Sequence, residues 1–180
     1  MRILCFGDSN TYGYDPRCFI PDRYDANNRW TDLLADRTGW EIINEGINGR
    51  VIPRNKSFTS LLECNKSLDL ILVMLGTNDL LQGASAKTIA ERMICFLQPL
   101  PCSGRIILVA PPPMKHGAWV ESSELIVESC KLATEYKAAA ERLNISYVDT
   151  HDWNIELTFD GVHFSEAGHH MFAERIIEYL

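Results

Sequence analysis

The sequence predicts a single three-layer α/β/α domain built on a doubly wound, five-stranded parallel sheet. Apolar runs of strand length alternate with segments whose apolar residues recur at helical spacing, and several of the runs stop at glycine. Strands that alternate with helices form parallel sheets with right-handed crossovers, which place helices on both faces. Because the chain has no internal repeat, low-complexity tract or linker, we expect one domain over residues 1–180.

The first third of the chain predicts two strands and one helix. The apolar run 3–6 stops at Gly7, as a buried strand does. Trp30 and the leucines after it recur at helical spacing, and Gly39 marks the end of that helix. Residues 40–44 predict a second strand. The glycines that follow it, Gly46 and Gly49, would then lie at the same edge of the sheet.

The rest of the chain continues the alternation. The most continuous apolar run, 68–75, predicts a central strand buried on both faces. Ser165 is a suitable cap for the last helix, whose inner face would carry Phe172 and Ile176. The other predicted elements are a short helix over 60–65, a helix from Ser85 to Pro99, strands over 105–110 and 146–149, and a long helix marked by Leu125, Leu132, Tyr136 and Leu143.

A long irregular segment, 11–28, follows the first strand. It is longer than a simple connection and would overhang the carboxyl edge of the sheet. The sequence leaves two roles open for its aromatic residues. They could line an acyl pocket, or they could contact a second copy of the chain in a homo-oligomer. These residues are Tyr12, Tyr14, Phe19 and Tyr24.

Composition excludes several classes of partner. A formal charge of −7 argues against binding to nucleic acid or to an anionic membrane, since both need a basic face. No run approaches the roughly 18 apolar residues that a membrane-spanning helix needs. The first strand begins too close to Met1 for a signal peptide to precede it, so we expect a cytoplasmic protein.

The cysteines and histidines predict neither a disulfide framework nor a metal site. The six cysteines contain no Cys-x-x-Cys pair, and Cys5, Cys95 and Cys130 fall in apolar or helical patterns where a thiol acts as a small hydrophobe. His169 and His170 are adjacent on a predicted helix, so they point to different faces and do not easily share an ion with other ligands. We expect no metal and no cofactor.

Ser9 lies two residues beyond the first predicted strand, at the edge where open α/β sheets place their ligand sites. Taken alone, Gly-Asp-Ser is better explained by a strand-to-loop turn in which Ser9 is a local capping hydroxyl. Three later stretches favour a functional role. Together the four stretches are CFGDSNTYG (5–13), EGINGR (45–50), LGTND (75–79) and DGVHF (160–164).

These stretches resemble, in order, the four sequence blocks of the SGNH hydrolases, also called the GDSL esterase/lipase family. The resemblance runs from Gly7 to His163, and the GTND and DxxH blocks make it specific. Within the family, the RILCFGDS, RWTDLLA, MLGTND and PPP segments are most similar to the small arylesterase/acyltransferase group. The resemblance implies a flavodoxin-like SGNH hydrolase fold, strand order 2-1-3-4-5, and serine esterase activity.

The resemblance also implies a catalytic triad. A serine hydroxyl needs a base within hydrogen-bond reach, which makes Ser9 the candidate nucleophile and His163 the candidate base. Of the five histidines, His163 alone lies in a glycine-flanked loop beside a carboxylate. Asp160 lies three residues earlier, where it would hold the second imidazole nitrogen. An Asp before Gly161 is also common in turns, and the two roles are compatible.

The developing oxyanion would be bound by the Ser9 N–H, the Gly49 N–H and the Asn78 side chain, as the resemblance implies. Gly46 competes with Gly49 for the backbone role, and Asn78 alone could equally be a turn residue. Tyr12 is a candidate substrate-binding residue. Asn10 stands where the family usually has leucine, which removes any inference that the mouth of the site is lipid-like.

The predicted function is a serine esterase that hydrolyses or transfers short acyl groups from a small-molecule ester. A carbohydrate O-deacetylase or a thioesterase with the same triad is the first alternative. The second is a flavodoxin-like module that binds a phosphate or flavin through Ser9, Thr11 and Gly13. This last alternative leaves Asn78 and the pair of Asp160 and His163 without a role.

Overall fold

The computed structural model describes residues 1–20, 22–54, 57–65, 67–100 and 105–180. The strands are β1 (Arg2–Gly7), β2 (Glu41–Gly46), β3 (Leu70–Met74), β4 (Arg105–Val109) and β5 (Ser146–Val148). The helices are α1 (Ser9–Tyr12), α2 (Trp30–Thr38), α3 (Ser57–Cys64), α4 (Thr77–Leu81), α5 (Ala86–Leu97), α6 (Ser123–Leu143) and α7 (Glu166–Ile176), with short 3-10 turns at Ala26–Asn28, His151–Trp153 and Ile177–Tyr179.

The five strands form one parallel sheet in the order β2-β1-β3-β4-β5, which confirms the predicted sheet and its strand order. Gly7 at the end of β1 pairs with Gly46 of β2 and with Met74 of β3. The three strands therefore end at the same level. As a result, the segments that follow them meet at one edge of the sheet.

Alternate residues of β1 enter two separate cores, because successive side chains of a strand point to opposite faces. Leu4 and Phe6 belong to one core, and Ile3 and Cys5 to the other. β3 is buried along its whole length, as its continuous apolar run predicts. The first core is completed by residues of α3, α5 and α6 (Phe58, Ile89, Leu132), and the second by residues of α2 and α7 (Trp30, Leu34, Phe172).

Three predicted helix ends are confirmed by their capping contacts. Gly39 closes α2 in the left-handed conformation, with φ at 69°. Ser85 begins α5 by accepting a hydrogen bond from the Thr88 N–H, and Ser165 begins α7 by accepting one from the Gly168 N–H.

Several element boundaries differ from the prediction, and one helix was not predicted. β2 continues to Gly46 instead of stopping at Asn44, because its pairing with β1 extends to Gly7. α3 begins at Ser57, earlier than predicted. α4 was not predicted, because the residues GTND are typical of a turn. In the structure Gly76, with a φ of 118°, directly precedes this short helix.

Cys5, Cys18, Cys95 and Cys130 carry free thiols, whereas Cys102 and the side chain of Cys64 lie outside what the structure describes. Within the described ranges, no helix combines the length and the apolar character needed to cross a membrane.

Candidate active site

Ser9 lies at the turn between β1 and α1. The Asp8 carboxylate accepts the Asn10 N–H at 3.0 Å and so caps α1, while Gly13 ends that helix in the left-handed conformation. Because Ser9 is the first residue of the helix, its N–H has no acceptor within the helix. The turn thus presents a hydroxyl and a backbone donor side by side.

His163 and Asp160 join Ser9 in a continuous chain of hydrogen bonds. The Nε2 atom of His163 lies 3.0 Å from the Ser9 Oγ, and its Nδ1 lies 2.6 Å from the Asp160 Oδ2. His163 is only 2% exposed and Asp160 is fully buried. The three residues that the sequence analysis singled out are therefore brought together in the geometry of a nucleophile, a base and a carboxylate.

The second oxygen of Asp160 organises the turn that carries His163. Its Oδ1 accepts hydrogen bonds from the N–H groups of Val162 and His163 and from the Thr158 hydroxyl, at 2.9 to 3.0 Å. Burial alone would raise the pKa of Asp160. Hydrogen bonds from the His163 ring and from the backbone outweigh burial and lower this pKa to about 2. Asp160 is thus ionised at neutral pH, and its turn-forming contacts coexist with its bond to the imidazole.

The segment 115–120 packs its backbone against this turn. Lys115 donates its N–H to the Gly161 carbonyl at 3.0 Å, and Trp119 donates to the Asp160 carbonyl at 3.1 Å. Gly161 has a φ of 80°, and a Cβ there would lie 2.1 Å from the Lys115 carbonyl oxygen. Only glycine therefore allows this close approach.

Two aromatic rings cover the His163 imidazole. The Tyr14 ring centroid lies 4.7 Å from that of the imidazole, and the Trp119 ring lies nearly perpendicular to the imidazole with the centroids 5.1 Å apart. The sequence analysis named Tyr14 only as part of the aromatic loop, and it missed Trp119. The triple proline that ends β4 places the chain at this sheet edge, but no sequence signal pairs Trp119 with Asp160.

Tyr12, the candidate substrate-binding residue, lies on α1 but contacts the loop after it. Its hydroxyl lies 3.4 Å from the Asp22 Oδ1, and the Arg23 guanidinium lies over its ring at 4.5 Å. Phe19 and Ile20 are almost fully exposed. The aromatic residues of the loop thus divide between the site and the outer surface.

Gly46 and Gly49 differ in the availability of their N–H groups. Gly46 donates its N–H to the Asn44 side-chain oxygen at 2.9 Å, and a Cβ there would lie 2.1 Å from the Tyr12 nitrogen. Gly49 has a φ of 74°, and its N–H has no acceptor among the residues that the structure describes. Close packing against Tyr12 therefore explains why residue 46 is a glycine, and its N–H is already bonded. The N–H of Gly49 remains available to a ligand.

Asn78 and Arg50 connect the second and third blocks. Asn78 donates one N–H of its side-chain amide to the Arg50 carbonyl at 3.1 Å, which leaves the second N–H of that nitrogen available. The Arg50 guanidinium donates to the carbonyls of Gly7 (3.0 Å) and Glu45 and lies over the Phe6 ring. The loop 46–50 is consequently fixed to the end of β1.

Asn10 joins α1 to the turn that carries His163. Its side-chain amide donates to the Val162 carbonyl at 3.1 Å and accepts the Phe164 N–H at 2.9 Å. The amide therefore satisfies backbone groups on both sides of the base. A leucine at this position could make neither contact.

Asp8 is a buried carboxyl that the sequence analysis did not name. Its Oδ1 caps α1, while its Oδ2 has no hydrogen-bond partner among the described residues. Burial raises the pKa of Asp8 to about 6, against the opposing effects of the Asn10 N–H and of positive charge on His163. An aspartate at a strand-to-helix turn is itself a capping signal, which the sequence did offer.

The loop after β1 has few backbone donors left for a phosphate. The N–H groups of Thr11 and Tyr12 bond to the Asp8 carbonyl, and those of Gly13 and Tyr14 bond to the Ser9 carbonyl. Phosphate loops instead turn several free N–H groups toward the ligand. The geometry disfavours the phosphate-binding alternative.

His169 and His170 point in different directions, as predicted. His169 is buried and accepts the Trp30 N–H through Nδ1 at 3.4 Å, whereas His170 lies 3.1 Å from the Asn28 side-chain oxygen. Burial lowers the pKa of His169 to about 3. Across the described part of the chain, no group of three or more His, Cys, Asp or Glu residues is arranged to hold a metal ion.

Comparison with known proteins identifies the family. Residues 5–171 match the model of the GDSL-like Lipase/Acylhydrolase family. The structure resembles the aryl esterase of M. smegmatis with a TM-score of 0.80 at 27% identity, over 99% of both chains. No curated protein sequence matches the chain.

Two further similar structures come from Sinorhizobium meliloti. One is a carbohydrate acetylesterase family member, with a TM-score of 0.81 at 25% identity over 99% of this chain and 98% of that one. The other is Est24, a carbohydrate acetylesterase, with a TM-score of 0.78 at 28% identity over 100% of both chains. The chain therefore belongs to the GDSL-like lipase/acylhydrolase family, the SGNH hydrolases, and is a carboxylic ester hydrolase.

Proposed function

We propose that this enzyme is a serine esterase that cleaves short-chain carboxylic esters through an acyl-enzyme on Ser9. The observation that carries the proposal is the buried chain of hydrogen bonds from the Ser9 Oγ through the His163 ring to the ionised Asp160. A serine hydroxyl becomes an effective nucleophile when a base lies within hydrogen-bond reach and a third group orients that base.

The reaction begins as the Ser9 Oγ attacks the ester carbonyl carbon and His163 Nε2 takes the hydroxyl proton. Asp160 accepts the Nδ1–H, which fixes the tautomer and stabilises the imidazolium. The imidazolium then returns its proton to the departing alkoxy oxygen, and an acyl-Ser9 ester remains. Water attacks this ester with His163 again acting as base, which releases the acid and restores the Ser9 hydroxyl.

The negative oxygen of each tetrahedral intermediate would be bound by the Ser9 N–H, the Gly49 N–H and the free N–H of the Asn78 amide. The hydrogen bond from the Asn78 amide to the Arg50 carbonyl supports this assignment. It fixes the position of the amide nitrogen, whose second N–H is then available to the oxyanion. The free N–H of Gly49 supports the choice of Gly49 over Gly46.

Removal of an acetyl group from a carbohydrate is the second candidate function. It is favoured by the similarity to two structures described as carbohydrate acetylesterases. The chemistry at Ser9 would be the same, and only the leaving alcohol would differ. Transfer of the acyl group to an alcohol instead of water is a further outcome of the same acyl-enzyme.

A fluorophosphonate probe tests the proposal directly, because it reacts only with an activated serine. The wild type should be labelled once, and Ser9→Ala should abolish labelling and hydrolysis of p-nitrophenyl acetate. Ser123→Ala, which changes an exposed serine at the start of α6, is the matched control and should behave as wild type. Labelling that persists in Ser9→Ala would refute the assignment.

A panel of p-nitrophenyl esters of increasing length would measure the preference for short acyl groups.

A further inference from the structure

Trp119 is a large aromatic residue left half exposed beside a buried base. Trp119 is 52% exposed, whereas His163, whose ring lies nearly perpendicular to the indole with the centroids 5.1 Å apart, is only 2% exposed. Tryptophan is usually buried for most of its surface when it serves only packing. The exposed part of the indole therefore presents an apolar face at the mouth of the site.

The backbone that carries this indole is fixed against the turn that carries His163. Trp119 donates its N–H to the Asp160 carbonyl, and Ala118 donates to the Phe159 carbonyl at 3.0 Å. A Cβ on Gly117 would lie 2.3 Å from the Asp160 carbonyl carbon, so the two segments are in direct backbone contact. Ordering of the backbone therefore adds little to the cost of binding when a ligand stacks on this ring.

The proposed mechanism fixes which part of the substrate lies next to Trp119. His163 Nε2 must reach the alkoxy oxygen of the leaving group at about 2.6–3.2 Å in order to protonate it. The atoms bonded to that oxygen therefore lie beside the imidazole, where the indole is. The carbonyl oxygen is directed instead toward Gly49 and Asn78, on segments that follow other strands.

Phe159 is a second exposed aromatic residue, on the segment whose backbone adjoins that of Trp119. It is 62% exposed, and its carbonyl bonds to the residue before Trp119, so the two aromatic residues are carried by adjoining backbone segments. Exposed aromatic faces bind other rings, either the face of an aryl group or the C–H face of a sugar.

We propose that Trp119 is a specificity-determining residue that stacks on a ring in the leaving alcohol, so that the enzyme favours esters of aryl-bearing or pyranose alcohols over esters of simple alkyl alcohols. The inference rests on the proposed function, because it needs His163 to protonate the leaving group. It adds the class of leaving group that the site selects.

The test compares three acetate esters in wild type, Trp119→Ala and Trp119→Phe. The esters are benzyl acetate, a methyl glucopyranoside carrying one acetyl ester, and ethyl acetate. Each variant is compared with wild type on the same ester, so differences in intrinsic reactivity cancel. Trp119→Ala should lower kcat/KM for at least one of the two ring-bearing esters by about threefold to tenfold, with less than a twofold change for ethyl acetate.

The conservative variant and a control make the result decisive. Trp119→Phe should recover most of the loss, and Tyr179→Ala, which removes an exposed aromatic near the end of the chain, should change none of the three rates. Loss confined to benzyl acetate would identify aryl alcohols, and loss confined to the glucopyranoside would identify sugars. An equal fall for all three esters, or no fall for either ring-bearing ester, would overturn the proposal.

Fluorophosphonate labelling separates this inference from the proposed function. Trp119→Ala should still be labelled once, at Ser9, which shows that the variant folds and that its serine is activated. If wild type itself is not labelled at Ser9, the proposed function fails. If labelling is normal and the ester preference is unchanged, only the role of Trp119 fails.

Discussion

Asn10 holds His163 in position through the two residues that flank it. One amide side chain accepts the Phe164 N–H at 2.9 Å and donates to the Val162 carbonyl at 3.1 Å. The Asn10 carbonyl in turn accepts the Trp30 indole N–H at 3.0 Å. The residue after the proposed nucleophile thus links α1, α2 and the turn that carries the proposed base.

Replacing Asn10 by leucine, the residue usual at this position in the family, should be damaging in this chain. It would leave a buried N–H and a buried carbonyl without partners, at about 1–3 kcal/mol for each group. We expect a marked fall in the urea midpoint and a fall of roughly tenfold in kcat, with a smaller change in KM. Asn10→Asp keeps an acceptor for the Phe164 N–H and should be intermediate. Wild-type stability and kcat in Asn10→Leu would contradict this role.

The Asn78 amide should matter for the rate far more than for binding. If it donates to the oxyanion, Asn78→Ala should lower kcat by about 10²–10³ with little change in KM. A turn residue would instead lower stability by about 1 kcal/mol and leave kcat nearly normal. Steady-state kinetics and thermal unfolding of the same preparation distinguish the two.

Asn78→Asp sharpens this test, because it nearly preserves shape while placing a negative charge against the developing oxyanion. We expect it to be at least as slow as Asn78→Ala. Asn65→Ala, which removes an amide that bonds to the Leu61 carbonyl after α3, serves as the control and should keep wild-type kcat. An Asn78→Asp protein with normal kcat and melting temperature would remove Asn78 from the site.

The sequence predicts the sheet well because burial on two faces leaves a strong pattern. The run around β3 and the glycine at the end of β1 are local signals, and both give the correct element. The proximity of Ser9 to His163 follows from the family resemblance, since 154 residues separate them. What the sequence did not predict depends on contacts between distant segments: Trp119 approaches His163 only because its backbone pairs with Asp160. α4 was missed because five residues are too few to show a helical period.

His169 should make the fold sensitive to mild acid. Burial lowers its pKa in the folded chain to about 3, against about 6.5 when unfolded. A histidine held neutral in this way contributes stability above pH 6.5, and that contribution is lost as the pH falls toward 3. Asp160, with its pKa lowered to about 2, acts in the same direction but only below about pH 4. Between pH 6.5 and 4.5 the loss should therefore come from His169 and not from Asp160, and Asp8, whose pKa in the folded chain is raised to about 6, should offset part of it.

The variant that tests this is His169→Gln, whose amide oxygen can still accept the Trp30 N–H but does not titrate. We expect a lower Tm than wild type at pH 7 and a smaller decline of Tm between pH 6.5 and 4.5. His116→Gln, at an exposed histidine after β4, should decline as wild type does. Parallel declines in wild type and His169→Gln would show that another group drives acid unfolding.

Asp8 places a second carboxyl beside the proposed base, and it should aid the rate at the expense of stability. Its pKa is raised to about 6, so its charge is present at pH 8 and largely absent at pH 5. In the ionised form it favours the imidazolium that forms as His163 takes the Ser9 proton. A carboxyl whose folded pKa lies above its unfolded value stabilises the fold least at high pH, because stability is lost as the pH rises from about 4 to 6.

Asp8→Asn keeps an oxygen that can accept the Asn10 N–H and removes only the charge. At pH 8 it should lower kcat by about fivefold, the effect of ~1 kcal/mol on the barrier, while raising the free energy of unfolding by on the order of 2–3 kcal/mol. At pH 5, where Asp8 is already largely protonated in the folded wild type, the difference in kcat should shrink toward zero, and the difference in the free energy of unfolding should fall to about half of its value at pH 8. Loss of the cap alone would instead lower stability and slow the reaction by the same ratio at both pH values. Kinetics and urea unfolding of the two proteins at pH 5 and pH 8 therefore separate a charge that assists the base from an aspartate that only begins α1.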